Sequence, residues 1–121
     1  MPWYSAHVIM VVRYLEGPQD SCPLWENVLL VEAADSEAAF AVAEDLARSK
    51  FTSGPEDGFL CEDRAALLQF AGIRKLFEIL DVDDTGVPGH GSEVTCSELD
   101  VSTEQDLSRL LRGESVQIQL D

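Results

Sequence analysis

An acidic loop holds the residues that come closest to a metal-binding pattern. Asp81, Asp83 and Thr85 match positions 1, 3 and 5 of a calcium-binding loop, which supplies oxygen ligands at those places. Position 12 of such a loop is a bidentate glutamate, but here it is Ser92, and Glu93 comes one residue late. Aspartate is also a common turn-forming residue. The loop is therefore a weak calcium candidate, and the sequence predicts neither a resident metal nor a cofactor.

Groups that act in catalysis are few and isolated. The imidazoles are His7 and His90. His7 lies on an apolar stretch, where a histidine is more often a satisfied core or edge residue than a base, and His90 lies between two glycines without an identifiable partner that would orient it as a base. Three cysteines, Cys22, Cys61 and Cys96, are widely spaced, which is typical of free thiols in a reducing compartment. No nucleophile elbow, phosphate-binding glycine loop or metalloprotease motif occurs. The sequence thus favours a non-enzymatic protein, with an enzyme kept as the alternative.

Aromatic and polar side chains at the start of two predicted strands form the candidate binding site. They are Trp3, Tyr4, Trp25, Glu26 and Asn27. Two tryptophans near the ends of adjacent strands can line a pocket or an interface, or they can simply fill the edge of the core. Glu26 and Asn27 enter a buried strand and need polar partners, which Arg13 or Arg74 would supply. This pair is interpreted first as a structural network and second as a ligand site.

The net charge of −15, from 23 acidic and 8 basic side chains, is unevenly distributed. Residues 76–108 contain no lysine or arginine; their acidic residues are Glu78, Asp81, Asp83, Asp84, Glu93, Glu98, Asp100, Glu104 and Asp106. Such a surface repels phosphate backbones and anionic lipid, so neither a nucleic acid nor a membrane is predicted as a partner. It favours association with a basic protein. A simpler interpretation is that the charge only keeps the protein soluble.

Two strands and a long helix are predicted in the first half of the chain. Residues 3–14 and 25–32 have the apolar patterns of strands, and the first carries apolar side chains on both faces. Asp35 or Ser36 caps the helix, because either side chain can accept from the free backbone amides of its first turn. The packing stripe of this helix is narrow and rich in alanine: Ala39, Phe40, Ala43, Leu46 and Ala47.

The second half is harder to assign. Residues 64–80 fit both a helical stripe and a strand-like alternation, with Gly72 at the centre, and periodicity leaves both open. Residues 92–99 are predicted as a short strand. A second helix is predicted to begin at Ser102, with Gln105 as the partner of a capping box and Gly113 as the stop signal. Residues 116–120 alternate between apolar and polar and are predicted as a last strand.

Several short motifs are shared with a family of small bacterial proteins. They are WYSA (3–6), WENV (25–28), DSEAA (35–39), GIRKLFEI (72–79) and GSEV (91–94). On these motifs the chain resembles the domain of unknown function 4288 family over residues 3–98. The resemblance implies that residues 67–80 form strands broken at Gly72, and it implies no activity and no functional residue. The segment from Val101 onward lies outside the shared pattern.

Together these elements predict one α+β domain over residues 1–121, with a family-like core (3–98) and a C-terminal helix and strand extension (101–121). We expect a single antiparallel or mixed sheet of five to six strands with two helices, the long one packed on one face. No apolar run approaches the roughly 20 residues that a membrane helix needs, and no signal peptide is recognised. A cytoplasmic protein is therefore predicted.

Two classes of function remain. The first is a non-enzymatic protein-interaction module that binds a basic partner through charge complementarity. The second is a small-molecule-binding or enzymatic α+β domain, closed by a second copy, with Trp3, Trp25 and Asn27 at the mouth of a pocket. Because both faces of the first strand are apolar and one helix covers only one of them, we also expect a homodimer.

Overall fold

Strand β1 (Trp3–Tyr14) lies inside the main sheet and pairs with a neighbour on each side. The structure is a computed structural model, and it describes residues 1–120. β1 is antiparallel to β2 (Leu24–Glu32), and a short β3 (Leu60–Cys61) precedes the long β4 (Arg64–Ile79), which is antiparallel to both β1 and β3. The strand order of this four-stranded sheet is β2-β1-β4-β3. The predicted first two strands are thus confirmed.

Helix α1 (Ser36–Phe51) packs on one face of this sheet, mainly against β4 and β1. Of the two predicted caps, Asp35 is the one that acts, since its side chain accepts from the backbone N–H of Ala38 at 2.8 Å. The buried residues of the helix are Ala39, Ala43 and Ala47. Their small side chains let the helix approach the apolar residues of β1 closely, and this contact is the centre of the hydrophobic core.

Residues 64–79 form one continuous strand, not a helix and not two strands broken at Gly72. Its register against β1 shifts twice, because Arg74 and Ala71 are skipped between successive pairs. Each shift is a β-bulge, which inserts one extra residue into the strand. Phe70, Ile73 and Leu76, which oppose β1 residues of the helix-covered face, are therefore three residues apart. That spacing imitates a helical stripe, which explains why periodicity alone was ambiguous here.

The C-terminal part differs from the prediction of one sheet with five to six strands. β5 (Leu99–Asp100) and β6 (Gln119–Leu120) pair with each other and form a separate two-stranded sheet. Between them lies α2 (Glu104–Leu111), whose cap is Thr103 and not the expected Ser102. Of the predicted strand at 92–99, only Leu99 is in a strand, because residues 93–97 bond mainly to side chains instead of a neighbouring backbone.

A short 3-10 helix (Pro55–Asp57) completes the regular structure. Within residues 1–120, no helix combines the length and the apolar character needed to cross a membrane.

Because α1 lies close to the sheet, a larger side chain at its buried face should disturb the packing. Replacing the fully buried Ala43 by leucine adds volume where the helix meets the sheet. We expect Ala43→Leu to lower the free energy of unfolding by about 1–3 kcal/mol, measured by urea denaturation. The matched control is Ala41→Leu, at an exposed position of the same helix, for which we expect a change within about 0.5 kcal/mol. Equal stabilities of the two variants would contradict this packing.

Candidate functional site

The face of the sheet opposite α1, here called the outer face, carries the polar side chains that come together in the fold. The register places Ser5, His7 and Ile9 of β1 on this face, opposite Leu30, Val28 and Glu26 of β2. Residues 92–98, here called the crossing segment, run over the β1 and β4 part of it, as the contacts below establish.

Three side chains of the sheet hold the crossing segment. The hydroxyl of Ser5 donates to the backbone carbonyl of Val94, and Nε2 of His7 lies 2.8 Å from the hydroxyl oxygen of Thr95. Further along, Nζ of Lys75 donates to Oγ of Ser97 at 3.3 Å. As a result Ser5 is fully buried and His7 is only 3% exposed. The second face of β1 is therefore covered by the same chain at these two residues.

The other ring nitrogen of His7 faces a carboxylate that is itself paired. Nδ1 of His7 is 3.5 Å from Oε1 of Glu26, and the guanidinium of Arg74 donates to both carboxylate oxygens of Glu26. The hydrogen bonds from Arg74 hold the pKa of Glu26 below its usual value. Of the two arginines expected to partner Glu26 and Asn27, Arg74 binds Glu26, whereas the buried Oδ1 of Asn27 has no hydrogen-bond partner within the described residues.

The bulge at Arg74 in β4 brings this side chain to the face where it can pair with Glu26. In a regular strand, consecutive side chains point to opposite faces of the sheet. Lys75 opposes His7 on the outer face, and the extra residue Arg74 also turns to that face, where it meets Glu26. Bulges commonly re-aim a side chain in this way. Two consecutive cationic residues thus reach one face, and one of them neutralises the carboxylate beside His7.

Thr95, His7 and Glu26 lie in the hydroxyl–imidazole–carboxylate order in which a histidine can act as a general base, but Nδ1 of His7 makes no hydrogen bond to the carboxylate. Access to the imidazole argues against that use, because His7 is almost completely buried beneath the crossing segment. A neighbouring surface depression of about 300 Å³ is lined by Arg74, Lys75, Cys96, Ser97 and Glu98. His7 is not among its lining residues. The arrangement therefore serves to hold the crossing segment on the sheet.

The burial of His7 and its contact with Thr95 agree with the predicted core histidine, whereas the roles of Ser5, Lys75 and Thr95 were not predicted. The bond between His7 and Thr95 joins residues 88 positions apart, and Ser5 and Val94 are 89 apart. No spacing motif covers such distances. The available signal was the polar character of Ser5 and His7 within a strand that is otherwise apolar.

The structure separates the two tryptophans of the candidate site. Trp3 opposes Glu32 at one end of the β1–β2 ladder, and Trp25 opposes Met10 near the other. Seven residue steps along β1 separate these points, roughly 23 Å. The two positions also face opposite sides of the sheet, and the Trp25 ring packs edge-on against Phe59, with centroids 5.7 Å apart. A pocket within one chain therefore does not contain both rings.

The other three residues of the candidate site also occupy different surroundings. Tyr4 is buried in the core beneath α1, and Asn27 is half-buried on that same face, opposite Val8. Only Glu26 joins the outer-face cluster. The five residues therefore do not form one site in a single chain.

The weak calcium candidate uses its carboxylates to hold its own backbone. Asp83 accepts from the backbone N–H of Thr85 at 2.8 Å and of Val87 at 3.2 Å, and also from the Thr85 hydroxyl. The Thr85 hydroxyl and these amides lower the pKa of Asp83. Asp81 accepts from the backbone N–H of Glu93 at 2.8 Å. No group of three or more metal-binding side chains lies together within residues 1–120.

Comparison with known proteins gives one match. The family model described as Domain of unknown function (DUF4288) matches residues 3–95, so the chain belongs to this family, as its motifs indicated. The match ends within the crossing segment, and α2, β5 and β6 lie outside it. It includes these outer-face residues: Ser5, His7, Glu26, Arg74, Lys75 and Thr95. Comparisons with curated proteins and with solved structures found no match.

The contact between His7 and Thr95 predicts a loss of stability when the hydroxyl is removed. Thr95→Val keeps the shape of the side chain but leaves the buried Nε2 of His7 without its partner. We expect the free energy of unfolding to fall by about 1–3 kcal/mol. Amide hydrogen exchange in residues 92–98 should also become faster. Thr52→Val, at an exposed position with no interaction of this kind in the described chain, should stay within about 0.5 kcal/mol. Unchanged exchange in Thr95→Val would contradict the proposed anchoring.

The pairing of Glu26 predicts a specific pH dependence. Because the folded-state pKa of Glu26 is lower than its unfolded value near 4.5, the pair stabilises the fold above that pH. The contribution is lost as the pH falls through the lowered folded pKa. The stability difference between the wild type and Glu26→Gln should therefore be largest near neutral pH and shrink in acid, measured by urea denaturation across that range. A difference independent of pH would show that the carboxylate charge plays no part.

Proposed function

We propose that this protein is a non-enzymatic interaction module that binds a basic protein through an acidic surface. This surface is formed by the crossing segment and by Asp84 in the loop before it. The observation that carries the proposal is the anchoring of an acidic segment, without lysine or arginine, to the outer face of the sheet. The anchoring contacts are those of Ser5, His7 and Lys75.

Anchoring matters because it determines the cost of binding. A flexible acidic tail must lose conformational freedom when it binds a partner, and this loss reduces its affinity. The crossing segment is held at three points along its length, so its carboxylates are presented in a largely pre-formed arrangement. Electrostatic complementarity on such a surface increases the association rate and the selectivity for a partner of opposite charge.

The carboxylates of this surface are available to a partner. Glu93 and Glu98 are exposed, and neither takes part in an ion pair within the described part of the chain. Arg74 is already engaged by Glu26, and Lys75 contacts the hydroxyl of Ser97. Neither basic side chain forms an ion pair with Glu93 or Glu98, although Lys75 keeps its positive charge in the depression that it lines together with Glu98.

The alternative function, a small-molecule or enzymatic site lined by tryptophans, has less support. Trp3 and Trp25 lie at opposite ends of the hairpin and on opposite faces of the sheet. A shared pocket would need a second copy to bring these rings together. No contact in the described chain favours that arrangement.

A charge-neutralising variant tests the proposal. The triple variant Asp84→Asn, Glu93→Gln, Glu98→Gln removes three exposed carboxylates whose side chains make no hydrogen bond in the described structure. We expect the wild type to capture a basic protein from its host's lysate at low salt and to release it at high salt, because salt screens exposed charges. With the purified partner, the triple variant should bind about tenfold more weakly.

The control variant carries the same change in net charge elsewhere. Asp20→Asn, Glu37→Gln, Asp45→Asn also removes three exposed carboxylates, but from the β1–β2 loop and from α1. It should bind the partner nearly as well as the wild type. If both triple variants bind the partner equally weakly, binding depends on the net charge of the protein and not on this surface. The absence of any salt-sensitive partner would refute the proposed function.

A further inference from the structure

The free edge of β2 offers an unpaired row of backbone groups. The backbone N–H of Val12 donates to the carbonyl of Pro23, and that of Ala33 donates to the carbonyl of Pro2. The odd-numbered residues of β2 therefore face β1, since hydrogen-bonded and non-hydrogen-bonded pairs alternate in an antiparallel ladder. The even-numbered residues direct N–H and C=O away from the sheet: Leu24, Glu26, Val28, Leu30 and Glu32. No strand lies beyond β2 within residues 1–120.

The same even-numbered residues place an apolar strip on the outer face. Leu24, Val28 and Leu30 are 56%, 49% and 53% exposed, although they lie in a regular strand. The crossing segment bonds to side chains of β1 and β4 and leaves these three residues partly open. Sheet edges are normally protected by lysine, proline, a bulge or a covering segment. β2 has none of the first three, and its register against β1 is unbroken.

The local charge of this edge identifies what kind of strand fits it. The chain as a whole has a net charge of −15, but β2 carries only Glu26 and Glu32. Glu26 is neutralised by Arg74, so a single unpaired carboxylate remains on the strand. At physiological ionic strength, charges farther away than about 8 Å are largely screened. This edge therefore does not repel a second copy of itself strongly, and it offers little to a basic partner.

Registers of self-pairing can be compared by their charges. A two-fold axis at Val28 pairs all five even-numbered residues: Val28 with itself, Glu26 with Leu30, and Leu24 with Glu32. An axis at Leu29 would set Glu26 of one copy opposite Glu32 of the other, which is unfavourable for like charges. An axis at Asn27 would set Glu32 opposite residue 22, which lies before the strand begins. The axis at Val28 uses the whole edge and keeps the carboxylates apart.

We propose that β2 pairs antiparallel with β2 of a second copy about a two-fold axis at Val28, which joins the two four-stranded sheets into one continuous sheet. This dimer buries part of the exposed apolar strip and satisfies the free backbone groups of both copies. It uses a different surface from the acidic crossing segment. The β2 dimer and the binding of a basic protein can therefore be refuted independently.

Mass in solution tests the dimer. Sedimentation over a range of concentrations should show the wild type passing from 13.3 kDa to twice that mass. Val28→Lys sets two lysines opposite each other at the axis and should raise the dissociation constant of the dimer at least about tenfold. The matched control is Val42→Lys, at an exposed valine of α1, which should leave the dimer unchanged. Circular dichroism confirms that both variants are folded.

Cysteine crosslinking tests the register. In a background where Cys22, Cys61 and Cys96 are replaced by serine, Val28→Cys should form a disulfide-linked dimer under mild oxidation, because self-paired residues lie about 5.5 Å apart at Cα. Leu30→Cys should not, since its two copies would lie roughly 13 Å apart. A monomeric wild type, a dimer unaffected by Val28→Lys, or crosslinking through position 30 in place of 28 would each overturn the proposal.

Discussion

The burial of both faces of β1 is the constraint on which the rest of the structure depends. One face is apolar, and the alanines of α1 cover it at close range. The other face carries Ser5 and His7, which are also buried. Buried polar groups need hydrogen-bond partners, so this face requires a cover that supplies a carbonyl and a hydroxyl group. Val94 and Thr95 supply them, and the crossing segment is held as a consequence.

The bulges of β4 connect this requirement to the charged side chains. By adding Arg74 to the outer face, one bulge provides a cation for Glu26, which in turn lies beside the imidazole of His7. Without that cation, a carboxylate would stand next to a buried ring with no compensation. The same irregularity leaves Lys75 in position to reach the crossing segment. A local change in strand geometry thus supports the pairing at the centre of the outer face and the position of the segment above it.

The outer face is consequently divided into two surfaces of different character. Near β4 it is covered by the crossing segment, whose exposed carboxylates form part of the surface proposed for a basic partner. At β2 it is apolar and nearly neutral, and it borders a free strand edge. The two surfaces call for different partners because one is dominated by charge and the other by unpaired backbone groups and apolar side chains. On the two proposals made above, one small domain would combine self-association with recognition of another protein.

The elements whose signals lie among neighbouring residues could be predicted from the sequence. Strand β1, strand β2 and helix α1 were predicted, because alternation and helical spacing depend on neighbouring residues. The cap of α1 was narrowed to Asp35 or Ser36, and the structure selects Asp35. The motifs over residues 3–98 likewise identified the family. Arg74 was one of two arginines named as partners of Glu26, since a charge entering an apolar strand needs compensation.

Only the tertiary structure decided the rest. Three features depend on contacts between residues that are far apart in the sequence. They are the single bulged strand at Arg64–Ile79, the crossing segment in place of a strand at 92–99, and the separate two-stranded sheet. His7 and Thr95 are 88 residues apart, and no local pattern encodes their meeting. The physical reason is that hydrogen bonds and register shifts depend on where side chains lie after packing. Sequence periodicity reports only which face of its own element a side chain occupies.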